Sequence, residues 1–253
     1  MQQNNSTMTD VVFTIAINRD ERSLTQKYDY SIKSWSEWCK KNNKQLFVLT
    51  EDITDPTYIR PNWYKYFAFD LLDNSGIEYD QVAYVDADTV IHPDTPDFFK
   101  LTEGKFCAVE NYGSLDWVLR SIEIYGDQAF DGLRVPYYEY FNSGFMVFGQ
   151  NHRPFLETIK KFLFDNRDNL VHINSTYGIG HDQTPVNLLR VREKVDFKLL
   201  SYKYNFQDLM RREAIDGTFT FTKFGYIYHF NCGVKPSPGY WIENTYKHFY
   251  GDK

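Results

Sequence analysis

Tyr84-Val85-Asp86-Ala87-Asp88-Thr89-Val90 is the stretch that frames the whole chain. A short apolar run, residues 82–85, precedes two carboxylates spaced two apart, and Val90-Ile91-His92-Pro93 follows them. The run has the length and turn-bounded apolar character of a buried strand. Asp86 and Asp88 then stand where a strand of an α/β sheet ends, the edge at which such sheets bind ligands. Two carboxylates held side by side repel unless positive charge lies between them. A hard divalent cation, Mn²⁺ or Mg²⁺, answers that repulsion and would in turn attract phosphate oxygens. Taken alone, the pattern is more often a pair of solvated aspartates in a turn, so its partners elsewhere in the chain decide.

On the N-terminal side, residues 11–17 (Val-Val-Phe-Thr-Ile-Ala-Ile) read as a first buried strand. Tyr28, Ile32, Trp35 and Cys39 recur at helical spacing within residues 23–43, and residues 45–49 read as a second strand. Strand, helix and strand make a βαβ unit, hence a parallel sheet with a right-handed crossover. A helix is expected over residues 63–72, carrying Lys65, and Asp73-Asn74-Ser75-Gly76 breaks it. Beyond the carboxylates, residues 106–110 read as a strand and residues 111–139 as a helix near 115–125 followed by a loop, a candidate lid or acceptor-binding region. Asn142-Ser143-Gly144 enters a strand over residues 145–148. A helix over residues 152–167, with Asn151 as its cap, a helix running to Arg192, strands at 197–200 and 226–230 and a terminal helix over 241–250 complete the reading.

Two hundred and fifty-three residues suit one large α/β domain with a core of its own. Lys and Arg number 28 against 34 Asp and Glu, a net charge of -6, with the basic residues scattered; this argues against nucleic acid as a partner. Cys39, Cys107 and Cys232 are odd in number and form no CxxC pair, which indicates a reducing compartment. Residues 1–10 are polar and read as a disordered tail, neither a signal peptide nor a membrane span. No apolar run is long enough to cross a bilayer, so a cytoplasmic protein is expected, with a peripheral membrane role left open.

Four pieces follow one another in a set order: Asp86-Ala87-Asp88, Asn142-Ser143-Gly144, Asp182-Gln183, and His229-Phe230-Asn231-Cys232-Gly233-Val234-Lys235-Pro236. A histidine beside two carboxylates completes a nitrogen and oxygen site of the kind Mn²⁺ accepts. By itself His229 reads as a packed histidine and Lys235 as a solvated lysine. Near a diphosphate, Lys235 would be a point charge on phosphate oxygens, and Gly233 would let the backbone approach closely. The ordered set, over residues 11–236, resembles the glycogenin-like glycosyltransferases of family 8.

That resemblance implies a single GT-A (Rossmann-like) α/β domain over residues 11–253, with a mixed, mostly parallel sheet flanked by helices. It implies a nucleotide- and metal-binding half at about 11–110 and an acceptor-binding half at about 111–253. Asp86, Asp88 and His229 would hold Mn²⁺ or Mg²⁺; Thr14, Asn18, Lys65, Ala87, Gly233 and Lys235 would join the two aspartates in contacting a UDP-sugar. Asn142, Asp182 and Gln183 match residues that hold the donor sugar and flank its anomeric carbon. Read without the family, Asp182 is equally an N-cap for the helix that follows, and Asp127-Gln128 repeats the dipeptide as a decoy. The chain departs from the family in having Glu21 where a tyrosine is common, Cys232 where the glycine stands, and Ser237 after Lys235-Pro236.

The implied activity is metal-dependent transfer of a hexose, from UDP-glucose or UDP-galactose, with retention of configuration, to a hydroxyl of a glycan, lipid-linked sugar, polyol or protein. The metal would act as a Lewis acid on the leaving diphosphate. A double displacement needs a carboxylate at the anomeric carbon; Asp182 is the one candidate, and same-face attack assisted by the donor phosphate is the implied route. Rival readings are a nucleotide-sugar or glycan-binding module without turnover, a self-glucosylating primer, and a metal-dependent phosphohydrolase. None of the 20 tyrosines is singled out by context as a self-glucosylation site.

Overall fold

Alternation with a period of two builds the centre of the molecule. Along β1 (Val11–Ile15), Val11 and Phe13 enter one apolar cluster and Val12 the opposite one. The same division separates Val82 and Tyr84 from Ala83 and Val85 on β3 (Gln81–Asp86). It also separates Phe106 and Ala108 from Cys107 and Val109 on β5 (Phe106–Glu110). A sheet with both faces apolar must be covered on both. The protein, seen here in a computed structural model that describes residues 9–17, 28–209, 215–231 and 235–251, covers them with helices.

Six strands run in the order β2-β1-β3-β6-β5-β7, with β2 at Gln45–Leu49, β6 at Phe141–Gly149 and β7 at Phe197–Leu200. β1 lies parallel to β2 and β3, β5 lies parallel to β7, and β6 alone runs antiparallel between β3 and β5. The sheet is therefore mixed and mostly parallel, as expected. Trp35 and Trp38 of α1 (Tyr28–Lys41) pack one face, with the Trp38 ring stacked on Phe98 at 4.9 Å. The other face is covered by α2 (Ala68–Asn74), α3 (Leu115–Ala129), α4 (Arg153–Tyr177) and α5 (Gln183–Arg192). No helix among the described residues is long and apolar enough to cross a membrane.

Several boundaries differ from the sequence reading for physical reasons. The helix expected at 63–72 is a 3-10 segment, Pro61–Phe67, followed by α2. In a 3-10 coil, positions three apart eclipse, which lines Asn62 up with Lys65. Asn151 does not cap α4: its amide donates to the Gly104 carbonyl, and Pro154 in the first turn starts the helix at Arg153. That helix runs ten residues past its expected end, because Leu170 and Ile173 continue its apolar face, and it stops at Gly178 with φ of 63°. Asp10, counted with the tail in sequence, is tied into the fold. Its carbonyl accepts from the Gln45 amide and its carboxylate pairs with Lys44. The rest of the tail to residue 8, Asn18 and Gly233 lie outside the described residues.

A second, two-stranded sheet was not legible in sequence. β4 (Thr89–Ile91) pairs antiparallel with β8 (Ile227–His229), setting Thr89 opposite His229. Tyr228 and Phe230 turn into a third apolar cluster with Trp241 and Ile242 of α6 (Pro238–Tyr250), so the intervening His229 faces the other way.

Behind the sheet, His152 is buried edge-on to Phe106, and its Nδ1 accepts from the Gly149 amide at 3.1 Å. Burial holds its pKa below the ordinary 6.5. Its folded form therefore resists protonation, and its contribution to stability is complete above about pH 6.5 and lost as pH falls through the lower folded value. His152→Gln should remove that part of the acid sensitivity between pH 7 and 5, measured as the difference in urea midpoints from the wild type.

Candidate functional site

The carboxyl ends of β1 and β3 are level: Ile15 pairs with Asp86. Asp86 closes β3, and Asp88 lies in the turn that leads into β4. The β4–β8 ladder, extended by the Phe230 amide donating to the Asp88 carbonyl at 2.9 Å, carries His229 to this edge. His229 Nε2 lies 3.1 Å from Asp88 Oδ1 and 3.5 Å from Asp86 Oδ2. Adjacent ligands of an octahedral ion with bonds of about 2.1 Å stand about 3 Å apart, so these atoms fit one small divalent cation. Two carboxylate oxygens and one imidazole nitrogen suit Mn²⁺ or Mg²⁺ in charge and donor type. Asp86, Asp88 and His229 form the one such group among the described residues.

A slip of register clears the floor beneath them. On β6, Met146 faces Ala108 but Asn142 faces Val109, so Ser143, Gly144 and Phe145 bulge away from β5. On the β3 side Val85 pairs with Phe145, and continuing that register sets Asp86 against Gly144. A Cβ on Gly144 would stand 2.5 Å from Asp86 Oδ2 and 2.5 Å from His229 Cε1. Only a glycine leaves the two candidate ligands their places.

Lys65 is buried from the other side. Its ammonium sits 3.2 Å from Asp182 Oδ2, 3.9 Å from Asp86 Oδ1 and 4.7 Å from the Tyr84 ring centroid. Burial alone would lower its pKa, but Asp182 and Asp86 outweigh this and keep it raised. Asp182 does not cap α5. Asn62 Nδ2 at 2.8 Å, Tyr66 Oη at 3.0 Å and Ser143 Oγ at 3.0 Å all donate to its carboxylate. Burial would push Asp182 up, but Lys65 and these donors outweigh it and hold the carboxyl below its usual range. Tyr84 donates to Asp86, and burial pushes the Tyr66 and Tyr84 hydroxyls well up, so both keep their protons. Burial would also raise Asp88, and His229 reverses the direction.

Beside the carboxylates opens a cavity of about 260 Å³ lined by Asn111, Trp117, Asn142, Gln183, Gln207 and Asn231. Asn142 and Gln183 were expected here from sequence. Asn111, Gln207 and Asn231 were not, since single amides in loops have no spacing to betray them, nor was Trp117 of α3. The buried oxygens Gln207 Oε1 and Asn231 Oδ1 have no hydrogen-bond partner among the described residues. Thr14, on β1 beside Val85, has its hydroxyl buried and likewise unpartnered. Ala87 is buried between the two aspartates. Lys235 is exposed, and what anchors it is its carbonyl, which accepts from Trp241 Nε1 at 2.6 Å. The decoy Asp127 lies on α3 and pairs with Arg134 at the surface.

The mixed, mostly parallel six-stranded sheet flanked by helices is the fold of the GT-A class. The sequence profile of glycosyl transferase family 8 matches residues 1–238, and the chain belongs to that family. No curated protein sequence matches it. Among solved structures it is similar to a glycosyltransferase involved in the glycosylation of the major capsid of PBCV-1, with a TM-score of 0.60 and 11% identity, over 93% of this chain and 98% of that one. It is also similar to the glycosyltransferase GlyE of Streptococcus pneumoniae TIGR4, with a TM-score of 0.51 and 17% identity, over 97% of this chain and 61% of that one. At these identities the likeness is one of fold.

Proposed function

We propose that the chain transfers a hexose from a UDP-sugar to a hydroxyl acceptor, with retention of configuration and with a divalent cation held by Asp86, Asp88 and His229. The observation that carries this is the convergence of those three side chains, with His229 Nε2 3.1 Å from Asp88 and 3.5 Å from Asp86. When bound, Mn²⁺ or Mg²⁺ would supply Lewis-acid stabilisation of the negative charge on the departing diphosphate. Lys65 neutralises the Asp182 and Asp86 carboxylates and, with Lys235, adds positive charge on the phosphate side.

The sugar occupies the amide-lined cavity. The spare N–H of Asn142 donates to one of its hydroxyls, and the unpaired oxygens of Gln207 and Asn231 accept from others. Gln183, whose N–H groups are taken by Asn111 and Tyr140, forms part of the wall, and Trp117 offers an apolar face. Asp182, held ionised, orients a hydroxyl and stabilises positive charge at the anomeric carbon. Its three hydrogen-bond donors and its ion pair with Lys65 leave it poorly placed as a nucleophile, which favours same-face attack over a covalent intermediate. Thr14 lines the nucleotide side; Asn18 and Gly233, outside the described residues, are assigned to the nucleotide and the phosphates by the family resemblance alone. Residues 11–110 thus supply the carboxylates and Lys65, and residues 111–253 supply His229 and the amides. The buried free thiols of Cys39 and Cys107 support a cytoplasmic setting.

Donor hydrolysis with and without Mn²⁺ tests the reading. Activity should need the ion, and Asp88→Asn should lower the rate about a hundredfold or more, since loss of several kcal/mol of charge stabilisation costs a factor of ten per 1.4 kcal/mol. Turnover indifferent to chelation would overturn it. Binding of UDP-sugars without turnover would instead make the chain a carbohydrate-binding module of the same fold.

A further inference from the structure

His229 is held from behind by a line of side-chain amides whose direction is fixed. Its Nδ1 lies 3.0 Å from Asn205 Oδ1. Asn205 Nδ2 donates to Asn142 Oδ1 at 3.0 Å, and Asn142 Nδ2 donates to Asn111 Oδ1 at 3.1 Å. Amide oxygens and nitrogens are told apart by their partners, and here two backbone groups settle the matter. The Gly144 amide can only donate, and it meets Asn142 Oδ1 at 2.9 Å. The Gly113 carbonyl can only accept, and it meets Asn111 Nδ2 at 3.0 Å. No amide in the line can flip without setting donor against donor or acceptor against acceptor. Asn205 must therefore offer its oxygen to His229, and Nδ1 must carry a proton.

We infer that Asn205 is a positioning residue: it holds the His229 ring with Nδ1–H turned back and Nε2 turned toward Asp86 and Asp88, and it couples that ring to the sugar-side amide of Asn142. Asn205 is fully buried and touches neither the cavity nor the carboxylates, so its part is played through His229 and Asn142. The inference rests on the proposed metal role of His229. A ligating imidazole whose second N–H is fixed in this way binds its ion more tightly, and losing such a partner typically costs ten- to a hundredfold in affinity.

Two variants separate this role from plain packing. Asn205→Ala removes both hydrogen bonds. Asn205→Asp keeps an oxygen for Nδ1–H but loses the N–H given to Asn142. Mn²⁺ affinity, read from the EPR signal of free Mn²⁺ at saturating UDP, should fall about ten- to a hundredfold in Asn205→Ala. It should stay close to the wild-type value in Asn205→Asp, while donor hydrolysis by that variant slows because Asn142 has lost its partner. Thermal unfolding of the metal-free proteins checks that each variant is folded. Wild-type Mn²⁺ affinity in Asn205→Ala, or an equal loss in both variants, overturns the inference. If the alanine variant does not fold, the aspartate variant decides: retained affinity upholds the inference and a tenfold loss ends it. A wild-type protein that binds no Mn²⁺ brings down the metal reading itself, a distinct failure visible before any variant is made.

Discussion

Lys65→Met is expected to cost the fold about 3–5 kcal/mol, the usual penalty for stripping one partner from a buried ion pair. The lysine is fully enclosed, and its ammonium is the cation nearest to Asp182. Methionine fills much of the same volume, so the loss comes from charge and not from a cavity. The pH dependence gives the prediction its sign. In the wild type the Asp182 carboxyl lies below its ordinary value despite burial, so its contribution is present above about pH 4 and lost below. Removing Lys65 takes away the first of the groups that offset burial, so the folded carboxyl rises from its lowered value while Asn62, Tyr66 and Ser143 still donate to it. The variant's folded state then binds protons more readily than the wild type's, so the variant should gain on the wild type as pH falls from 7 to 5. Adding Asp182→Asn to the variant should restore much of the loss, since the carboxylate that remains near the lost lysine, Asp86, is partly exposed and keeps the Tyr84 donor. Urea unfolding of the wild type, both single variants and the double variant at the two pH values measures this. A Lys65→Met protein as stable as the wild type at pH 7 would show the pair to be worth nothing.

How much of the fold and site is legible in the sequence depends on how each residue announces itself. The β3 strand and its two aspartates can be read because a short apolar run that ends abruptly in charge fits little besides a buried strand reaching solvent. The βαβ opening is likewise plain from Tyr28, Ile32, Trp35 and Cys39 at helical spacing. His229 is picked out by its place in an ordered set of motifs and not by physics, since the three-residue strands that deliver it carry no periodic signal. Asp182 misleads in one respect. Its position before a helix suggests a cap, but three donors from distant segments claim its carboxylate. Asn62, Tyr66, Asn111 and Asn205 are invisible as site residues for a common reason. Each acts through hydrogen bonds to residues 24 to 120 positions away in sequence, and such pairings exist only once the sheet has brought the segments together.

Gly144→Ala should abolish metal binding while leaving the protein folded. The site motif Asn142-Ser143-Gly144 looks like an ordinary entry into a strand, and the need for glycine appears only with the β3–β6 register. An added Cβ would lie 2.5 Å from both Asp86 Oδ2 and His229 Cε1, and 2.9 Å from Asn142 Oδ1, closer than non-bonded carbon tolerates. None of the three can simply turn away. Asp86 is held by Tyr84 and the His229 ring by Asn205, while the Asn142 oxygen accepts from Asn205 and from Gly144 itself. The methyl group must therefore displace the ligand atoms themselves. Overpacking of this kind costs about 1–3 kcal/mol of stability, which a domain of this size survives. A displacement of about 1 Å at reacting groups costs about a hundredfold in rate. Gly149→Ala is the matched control, on the same strand, where the nearest atom to an added Cβ is Asn151 Oδ1 at 3.1 Å. Mn²⁺-induced thermal stabilisation in the presence of UDP should vanish in Gly144→Ala and persist in Gly149→Ala, with donor hydrolysis following the same division. If the Gly144 variant binds Mn²⁺ as the wild type does, the ion does not sit between Asp86 and His229, because those two side chains cannot keep their positions beside the new methyl group.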